Sequence, residues 1–528
     1  HPTPLQKPQT ITAWSPPRRA DVAVCVSSSP SSGKGGKGRG GDLSSPLLAA
    51  RASASASASG SASPSSSASA LTPVLLASVA IAAMGAFAFG YHLAIVNGPL
   101  DAIAASLGFA GDATKQGLVV SSLLVGATAG SLGGSALADA AGRRGGLVAT
   151  ALPLAVGALL CARASSLASL LAGRVVSGAG IGLASALVPL YVSEVSPASS
   201  RGALGSVNQL VICVGILGAL VANVCLPATE WRAMFAAAAA PAALLAAGMG
   251  LFAPESPRWL AARGRAAEAA AAAARLFGSA SSGAAAAVAA VEASVEAGGG
   301  AVSGAAARAV EPRPSGSRGL LSDLFASRGV RVGCALFLFQ QLSGINAIIY
   351  FSSSVFARAG VANGALASAV VGLANVLGTA LAAALMDRAG RVQLLSASFG
   401  GMACAMLAMA AGLGIPALSP FAGPIALGGT LAYIVSFALG AGPVPGLLVP
   451  EIAPAVLRGR AVSAAMATHW VCNFAVGQAF LPAVSAVGVS GAYLFFAAVC
   501  LATVAFVRAQ VPETKGRSLE EIEAAMSS

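Results

Sequence analysis

The sequence predicts an all-α integral membrane protein, with twelve transmembrane helices arranged as two six-helix bundles. Three observations carry that reading. The chain of 528 residues is 56% hydrophobic and only 9% charged, against about 25% charged in soluble domains. Apolar runs recur at near-regular spacing, at about 71–96, 116–138, 145–162, 168–193, 203–226 and 233–253, and again at about 332–354, 364–386, 392–413, 425–449, 461–483 and 488–507. Most of these runs reach the roughly 20 residues that a bilayer crossing needs. Finally, three motifs occur twice in the same order and split the spans into two sets of six.

The repeats are specific in combination. Asp139-x-x-Gly142-Arg143 returns as Asp387-x-x-Gly390-Arg391, 248 residues later. Glu194-Val-x-Pro197-x-x-x-Arg201-Gly202 returns as Glu451-Ile-x-Pro454-x-x-x-Arg458-Gly459 after 257, and Pro254-Glu255-Ser256 as Pro512-Glu513-Thr514 after 258. Nearly constant offsets mark a duplicated half. The motifs follow even-numbered spans, so all lie on one face together with the central loop and both termini. Nine arginines in residues 254–331 mark that face as the non-translocated side. The expected organisation is an N-terminal bundle over 71–253, a central loop over 254–331, a C-terminal bundle over 332–510 and a tail over 511–528.

Residues 1–70 are rich in Ser, Ala, Gly and Pro, with seven basic residues against Asp21 and Asp42. That composition is similar to a chloroplast transit peptide. Gly33 to Gly38 is no phosphate loop, since no Ser or Thr follows a Gly-Lys at the required place. Within the second half, Val392 to Pro450 carries no charge, but Pro416, Ser419, Pro420 and Pro424 divide it into two helices. Val487-Gly488 divides the last two spans in the same way. In the central loop, 261–276 is read as short Ala-rich surface helices, and 277–318, biased to Ala, Gly and Ser, as lacking fixed structure. Gly178, Gly180 and Gly182 lie inside the fourth span with no strand before them, which points to close helix packing. Seven of the eight cysteines lie in apolar segments and no pair has metal-ligand spacing. No disulfide framework, zinc site or cofactor is therefore expected. The net charge of +12 comes mostly from loops and the N-terminal tail. It reflects membrane topology rather than nucleic-acid binding.

The chemistry concentrates in the seventh span. Val332 to Ala357 is free of formal charge, yet holds Gln340, Gln341 and Asn346. An unbonded amide in hydrocarbon costs several kcal/mol, so these groups are expected to face protein or a polar cavity. They would fan over a wide arc of a regular helix, and Gly344 between them offers a place for the helix to break. Transporters bind substrate at such breaks. Amides donate and accept without charge, which suits a neutral polyhydroxylated ligand; helix-to-helix bonding is the competing role. At the motif face, Asp139, Arg143, Arg144, Glu194 and Arg201, and their counterparts Asp387, Arg388, Arg391, Glu451 and Arg458, are opposite charges at neighbouring helix ends. Two such ion-pair clusters could latch the halves when they close on that side and weaken when water enters.

Several stretches resemble the sugar porter family of the major facilitator superfamily: Gly173-Arg174, Pro254-Glu-Ser-Pro-Arg-Trp-Leu260, Gln340-Gln-Leu-Ser-Gly-Ile-Asn346 and Pro512-Glu-Thr-Lys-Gly-Arg517. The resemblance runs from about Leu71 to Ile522. Phe89-Gly-Tyr-His92, Gly205-Ser-Val-Asn-Gln209 and Gly440-Ala-Gly-Pro-Val-Pro445 are most similar to the plastidic glucose transporter branch. The resemblance implies a sugar site formed by Gln209, Gln340, Gln341, Asn346, Asn375 and Trp470, with Asn473 a weaker candidate and with Tyr350 and Phe351 as gating residues. It also implies a facilitative glucose carrier of the plastid inner envelope, functional as a monomer in the bilayer. Ala438 and Gly446 stand where many glucose carriers have a Glu and a Trp, so sugar preference does not carry over from those relatives. Proton-coupled members have an Asp at the position of His92, working against the arginine here numbered Arg174. No Asp or Glu occurs between Arg51 and Asp101, which favours passive transport; symport through His92 is the alternative, because imidazole titrates near neutrality. A sugar sensor that does not transport is a second rival. No residue constellation supports a membrane enzyme.

Overall fold

The computed structural model describes residues 71–197, 200–278, 325–385, 389–454 and 457–515, with 517, 521, 522, 525 and 526 beyond them. The transit-like tail, most of the low-complexity insert, Asp387, Arg388 and the side chains of Arg201 and Arg458 lie outside the described residues.

The helices are α1 (Pro73–Ala94), α2 (Leu100–Ser106), α3 (Ala113–Ala162), α4 (Leu167–Val195), α5 (Arg201–Cys225), α6 (Trp231–Ala237), α7 (Ala239–Leu251), α8 (Pro257–Ala262) and α9 (Ala266–Phe277). After the gap come α10 (Arg328–Leu342), α11 (Ile345–Arg358), α12 (Gly364–Leu385), α13 (Arg391–Gly414), α14 (Ala422–Ser436), α15 (Val444–Ile452) and α16 (Arg458–Gln510). Among the described residues, ten helical stretches are long and apolar enough to cross a membrane. Two of them hold two crossings each, which makes twelve.

The reason is backbone geometry at two glycines. In α3, Gly142 has φ 81° and ψ 172°, a conformation that residues with a Cβ avoid. The two arms of α3 then pack against one stretch of α4. A Cβ on Gly126 would collide with the Val175 carbonyl, and one on Gly157 with the Ser177 backbone. Gly488 turns α16 in the same way. Phe480 and Phe496, on either side of it, stack at 6.2 Å. The glycines of α4 work as expected from their spacing: Gly178 and Gly182 abut the Leu123 and Ala127 carbonyls, and Gly180 abuts Leu154. Small residues let two backbones approach closely, which is how helices gain packing energy where lipid offers no hydrophobic drive.

Helix starts follow local chemistry. Thr72 caps α1, accepting from the Leu75 amide at 3.1 Å ahead of Pro73. Ser166 and Ser169 form a reciprocal cap on α4. Leu132, Leu152, Leu244, Leu377 and Val471 are 59–67% exposed, the pattern of a surface that faces lipid. The tenth span is not one regular helix. A π turn over Phe437–Ala441 separates α14 from α15, in the glycine- and proline-rich stretch where a bend is expected.

Candidate functional site

The seventh span breaks at Ser343-Gly344, midway along the apolar stretch Arg328–Arg358. Gly344 adopts φ 95°, which a side chain would strain. Ser343 Oγ donates to the Gln340 carbonyl at 2.6 Å, and Tyr433 Oη of α14 donates to the Ser343 carbonyl at 3.0 Å. The backbone freed by the break is thus bonded within the protein. On an unbroken helix, residues five apart point about 140° away from each other. Here Asn346 Nδ2 donates to Gln341 Oε1. Gln341 Nε2 lies 3.2 Å from Gln340 Oε1 and 2.8 Å from His469 Nδ1. Gln340 Nε2 donates to the Ala441 and Gly442 carbonyls at 2.6 and 3.2 Å, beside the π turn. Two helix breaks are therefore joined by one chain of amides. Leaving a buried amide unsatisfied costs about 1–3 kcal/mol, so the chain accounts for three such groups in an apolar span.

The other expected residues each have their own local surroundings. Gln209 on α5 is half-buried, with its Nε2 3.8 Å from Cys213 Sγ, which in turn contacts Thr379 of α12. Asn375 lies on α12, nearly buried. These two residues and the seventh-span amides come from four different helices. Trp470 and Asn473 lie on α16. Trp470 is fully buried, with the ring of Phe89 5.7 Å away and that of His469 edge-on at 4.8 Å, so no open face is left for stacking in this conformation. Asn473 accepts from Tyr350 Oη at 3.0 Å. Tyr350 and Phe351 are themselves buried; Phe351 stacks on Phe480 at 5.1 Å, and Tyr350 lies against Gly477. The sequence reading missed His469. The signal was present: it is a polar residue in a charge-free span, the same argument that singled out the amides.

Arg174 is a fully buried cation. Its guanidinium donates to the carbonyls of Val119, His92 and Val120 at 3.0, 2.8 and 3.3 Å. Backbone oxygens thus satisfy it where a carboxylate would otherwise be needed. The His92 ring is also buried, and neither of its nitrogens has a partner among the described residues.

At the motif face each half has its own cluster. Arg143 pairs with Glu194 at 3.0 Å and with Asp139 at 3.3 Å. Ser256 Oγ donates to Glu194 at 2.5 Å. Arg144 points elsewhere, donating to the Met249 and Gly250 carbonyls. In the second half Arg391 pairs with Glu451 at 3.5 Å, and Thr514 Oγ1 donates to Glu451 at 2.7 Å. The repeated Pro-Glu motif has a role that its sequence did not disclose. Glu255 accepts the amides of Arg143 and Arg144 at 2.9 and 3.1 Å, and Glu513 accepts those of Arg391 and Val392 at 2.8 and 3.1 Å. Each carboxylate caps the helix that restarts after a motif glycine. Burial alone would push the Glu513 carboxyl up, but the backbone amides of Lys515, Arg391, Val392 and Thr514 outweigh it and hold the group below the usual glutamate range.

The halves meet toward the opposite face. Asn97, in the turn after α1, donates to the Ile349 carbonyl at 2.5 Å and to Ser352 Oγ at 2.8 Å, and accepts from the Ser353 amide at 3.1 Å. Gln478 of α16 accepts from Ser121 Oγ at 2.9 Å and donates to the Thr114 carbonyl at 3.2 Å. The described ion pairs of the motif face, by contrast, stay within their own half. The molecule is closed on the Asn97 side.

Two six-helix bundles, and two broken helices joined by a chain of buried amides, define a transporter of the major facilitator fold. The chain belongs to the sugar (and other) transporter family, whose model matches residues 78–526. It is 48% identical to plastidic glucose transporter 4 of Arabidopsis thaliana, over 86% of this chain and 81% of that protein. It is 43% identical to probable plastidic glucose transporter 2 of the same organism, over 85% and 88%. Among solved structures it is similar to the inward open conformation of the xylose transporter XylE from E. coli, with TM-score 0.71 and 26% identity, covering 85% of this chain and 99% of that one.

Proposed function

We propose that this chain is a facilitative hexose carrier that moves glucose by alternating access across the inner envelope membrane of a plastid, working as a monomer. The observation that carries the reading is the uncharged amide chain at the break in the seventh span, where Gln340, Gln341 and Asn346 are bonded to one another and carry no formal charge. Such a layer suits a ligand with many hydroxyls and no charge. The glucose assignment and the plastid location are supported by the names of the relatives, and the location also by the composition of residues 1–70. In this reading Trp470 and Asn473 form the wall behind the sugar, and Tyr350 and Phe351 close it from the Asn97 side. The clusters around Arg143 and Arg391, together with Arg144, Arg201, Asp387, Arg388 and Arg458, latch the motif face when that side closes.

Passive transport is supported by the first span, which has no Asp or Glu, and by Arg174, which carbonyls already satisfy. The similar xylose protein is described as a proton:xylose symporter. Symport through His92, whose ring nitrogens are unpartnered, makes the opposite prediction. Purified protein in liposomes should take up radiolabelled glucose saturably and only to equilibrium, with or without a proton gradient. Accumulation abolished by an uncoupler would establish coupling. Glucose binding without uptake would make the protein a sensor.

A further inference from the structure

Unspent hydrogen-bond donors gather where the ninth span begins and the twelfth ends. An open cleft of about 540 Å³ lies between the first turns of α13 and the end of α16, lined in part by Gln393, Ser396, Ala397, Arg508 and Glu513. Arg508 is exposed and, like the Gln393 amide, has no side-chain partner among the described residues. Ser396 Oγ is buried at the wall of the cleft and is also unpartnered. By contrast, Arg143 and Arg391 on the same face are paired with carboxylates, and Arg144 with carbonyls. The acid in the lining leaves Arg508 uncompensated, because the Glu513 carboxylate is turned to the amides of Arg391 and Val392. A guanidinium, an amide NH2 and a hydroxyl can all donate, and together they suit the oxygens of an anion.

Position decides what carries the anion. Both helices are membrane spans, and the cleft lies at their ends, where a long cationic side chain meets lipid headgroups. Deeper along the spans the surface turns apolar. Gly400 lies one turn beyond Ser396 on the same side of α13, and space is open where its side chain would stand. Leu501, about two turns before Arg508 on the same side of α16, is 53% exposed. A molecule with an anionic head and an apolar chain matches both parts of this surface; a free anion matches only the first.

We propose that this cleft binds a membrane lipid with an anionic headgroup: Arg508, Gln393 and Ser396 hold the phosphate or sulfonate, and an acyl chain lies over Gly400 toward Leu501. None of these residues belongs to the amide chain, so the proposal stands apart from the sugar-carrier reading. Its test uses the full chain, delipidated in mild detergent. The protein is titrated with phosphatidylglycerol, with phosphatidylcholine of the same chain length, and with glycerol 3-phosphate. Native mass spectrometry counts the bound molecules, and melting temperature is followed alongside.

The wild type should hold its first phosphatidylglycerol several-fold more tightly than phosphatidylcholine, and melt at a higher temperature with it. Arg508→Gln, a change at an exposed side chain, should weaken phosphatidylglycerol about 5-fold, the effect of one cation at a lipid surface. Phosphatidylcholine binding should not change. Arg508→Lys should keep most of the preference. Gly400→Leu fills the chain path without touching the headgroup, and it too should weaken phosphatidylglycerol. Folded Arg508→Gln that binds both lipids as the wild type does would overturn the proposal. So would glycerol 3-phosphate binding that Arg508→Gln removes and Gly400→Leu leaves intact, since the cleft would then be a site for a soluble phosphate.

Discussion

At the scale of single residues, polarity and smallness govern this protein. Gln341 sits at the centre of the amide chain, bonded to Gln340, Asn346 and His469. Gln341→Leu keeps the volume but removes donor and acceptor. If Gln341 binds sugar, glucose affinity should fall roughly 5- to 150-fold, from about 1–3 kcal/mol of lost hydrogen bonding. Folded yield should fall only in part, because Gln340 Oε1 and Asn346 Nδ2 lose the partner that Gln341 gives them while the apolar packing is kept. Unchanged affinity with poor yield would make the residue helix glue. Gly178 illustrates the opposite constraint: it abuts the Leu123 carbonyl, so no Cβ fits. Gly178→Leu should abolish the monodisperse peak in size-exclusion chromatography, since separating α3 from α4 exposes packing that lipid cannot replace.

At the scale of elements, the helices are organised by where they stop. Gly142 and Gly488 reverse α3 and α16, Gly344 divides α10 from α11, and the π turn interrupts the tenth span. Each restart after a motif glycine is capped by a carboxylate from a distant loop, Glu255 in the first half and Glu513 in the second. Glu513→Gln should lower thermal stability at neutral pH by about 1 kcal/mol, the typical cost of a lost cap. The pH dependence follows from sign. The folded Glu513 carboxyl titrates below its ordinary value, so its stabilisation is complete above the unfolded glutamate pKa of about 4.3. It is lost as pH falls through the lower folded value. Thermal melts of wild type and Glu513→Gln should therefore differ at pH 7 and converge in acid. A gap that persists at low pH would remove the charge from the explanation.

At the scale of the whole molecule, closure on one side is made by uncharged groups, and the charged clusters lie on the other. Asn97 alone makes three hydrogen bonds across the halves. Removing it as Asn97→Ala should favour opening on that side. With each bond worth about 0.5–1.5 kcal/mol net, the population ratio should shift at least several-fold. Spin labels placed across that face, on the α1 and α11 sides, should then report a longer mean distance. No change in the distance distribution would mean that Gln478 and aromatic packing suffice to hold it shut. Glucose should bind more weakly to the variant from the motif side, because a ligand's apparent affinity falls with the population of the state that binds it.

Much of this architecture is legible along the chain because its causes are local. Hydrophobic run length follows from bilayer thickness, and the duplicated motifs disclose two halves. The amides of the seventh span declare a polar site because the cost of burying them unpaired is independent of the fold. Other features depend on groups far apart in sequence. The roles of Glu255 and Glu513, each more than 100 residues from the amides it caps, needed the folded chain. So did the withdrawal of Trp470 behind Phe89, the alignment of Asn346 with Gln341 across the break, and the pairing of His469 with Gln341 over 128 residues. Residue types determine which groups must find partners; only the tertiary structure decides which partners come within a hydrogen bond's length.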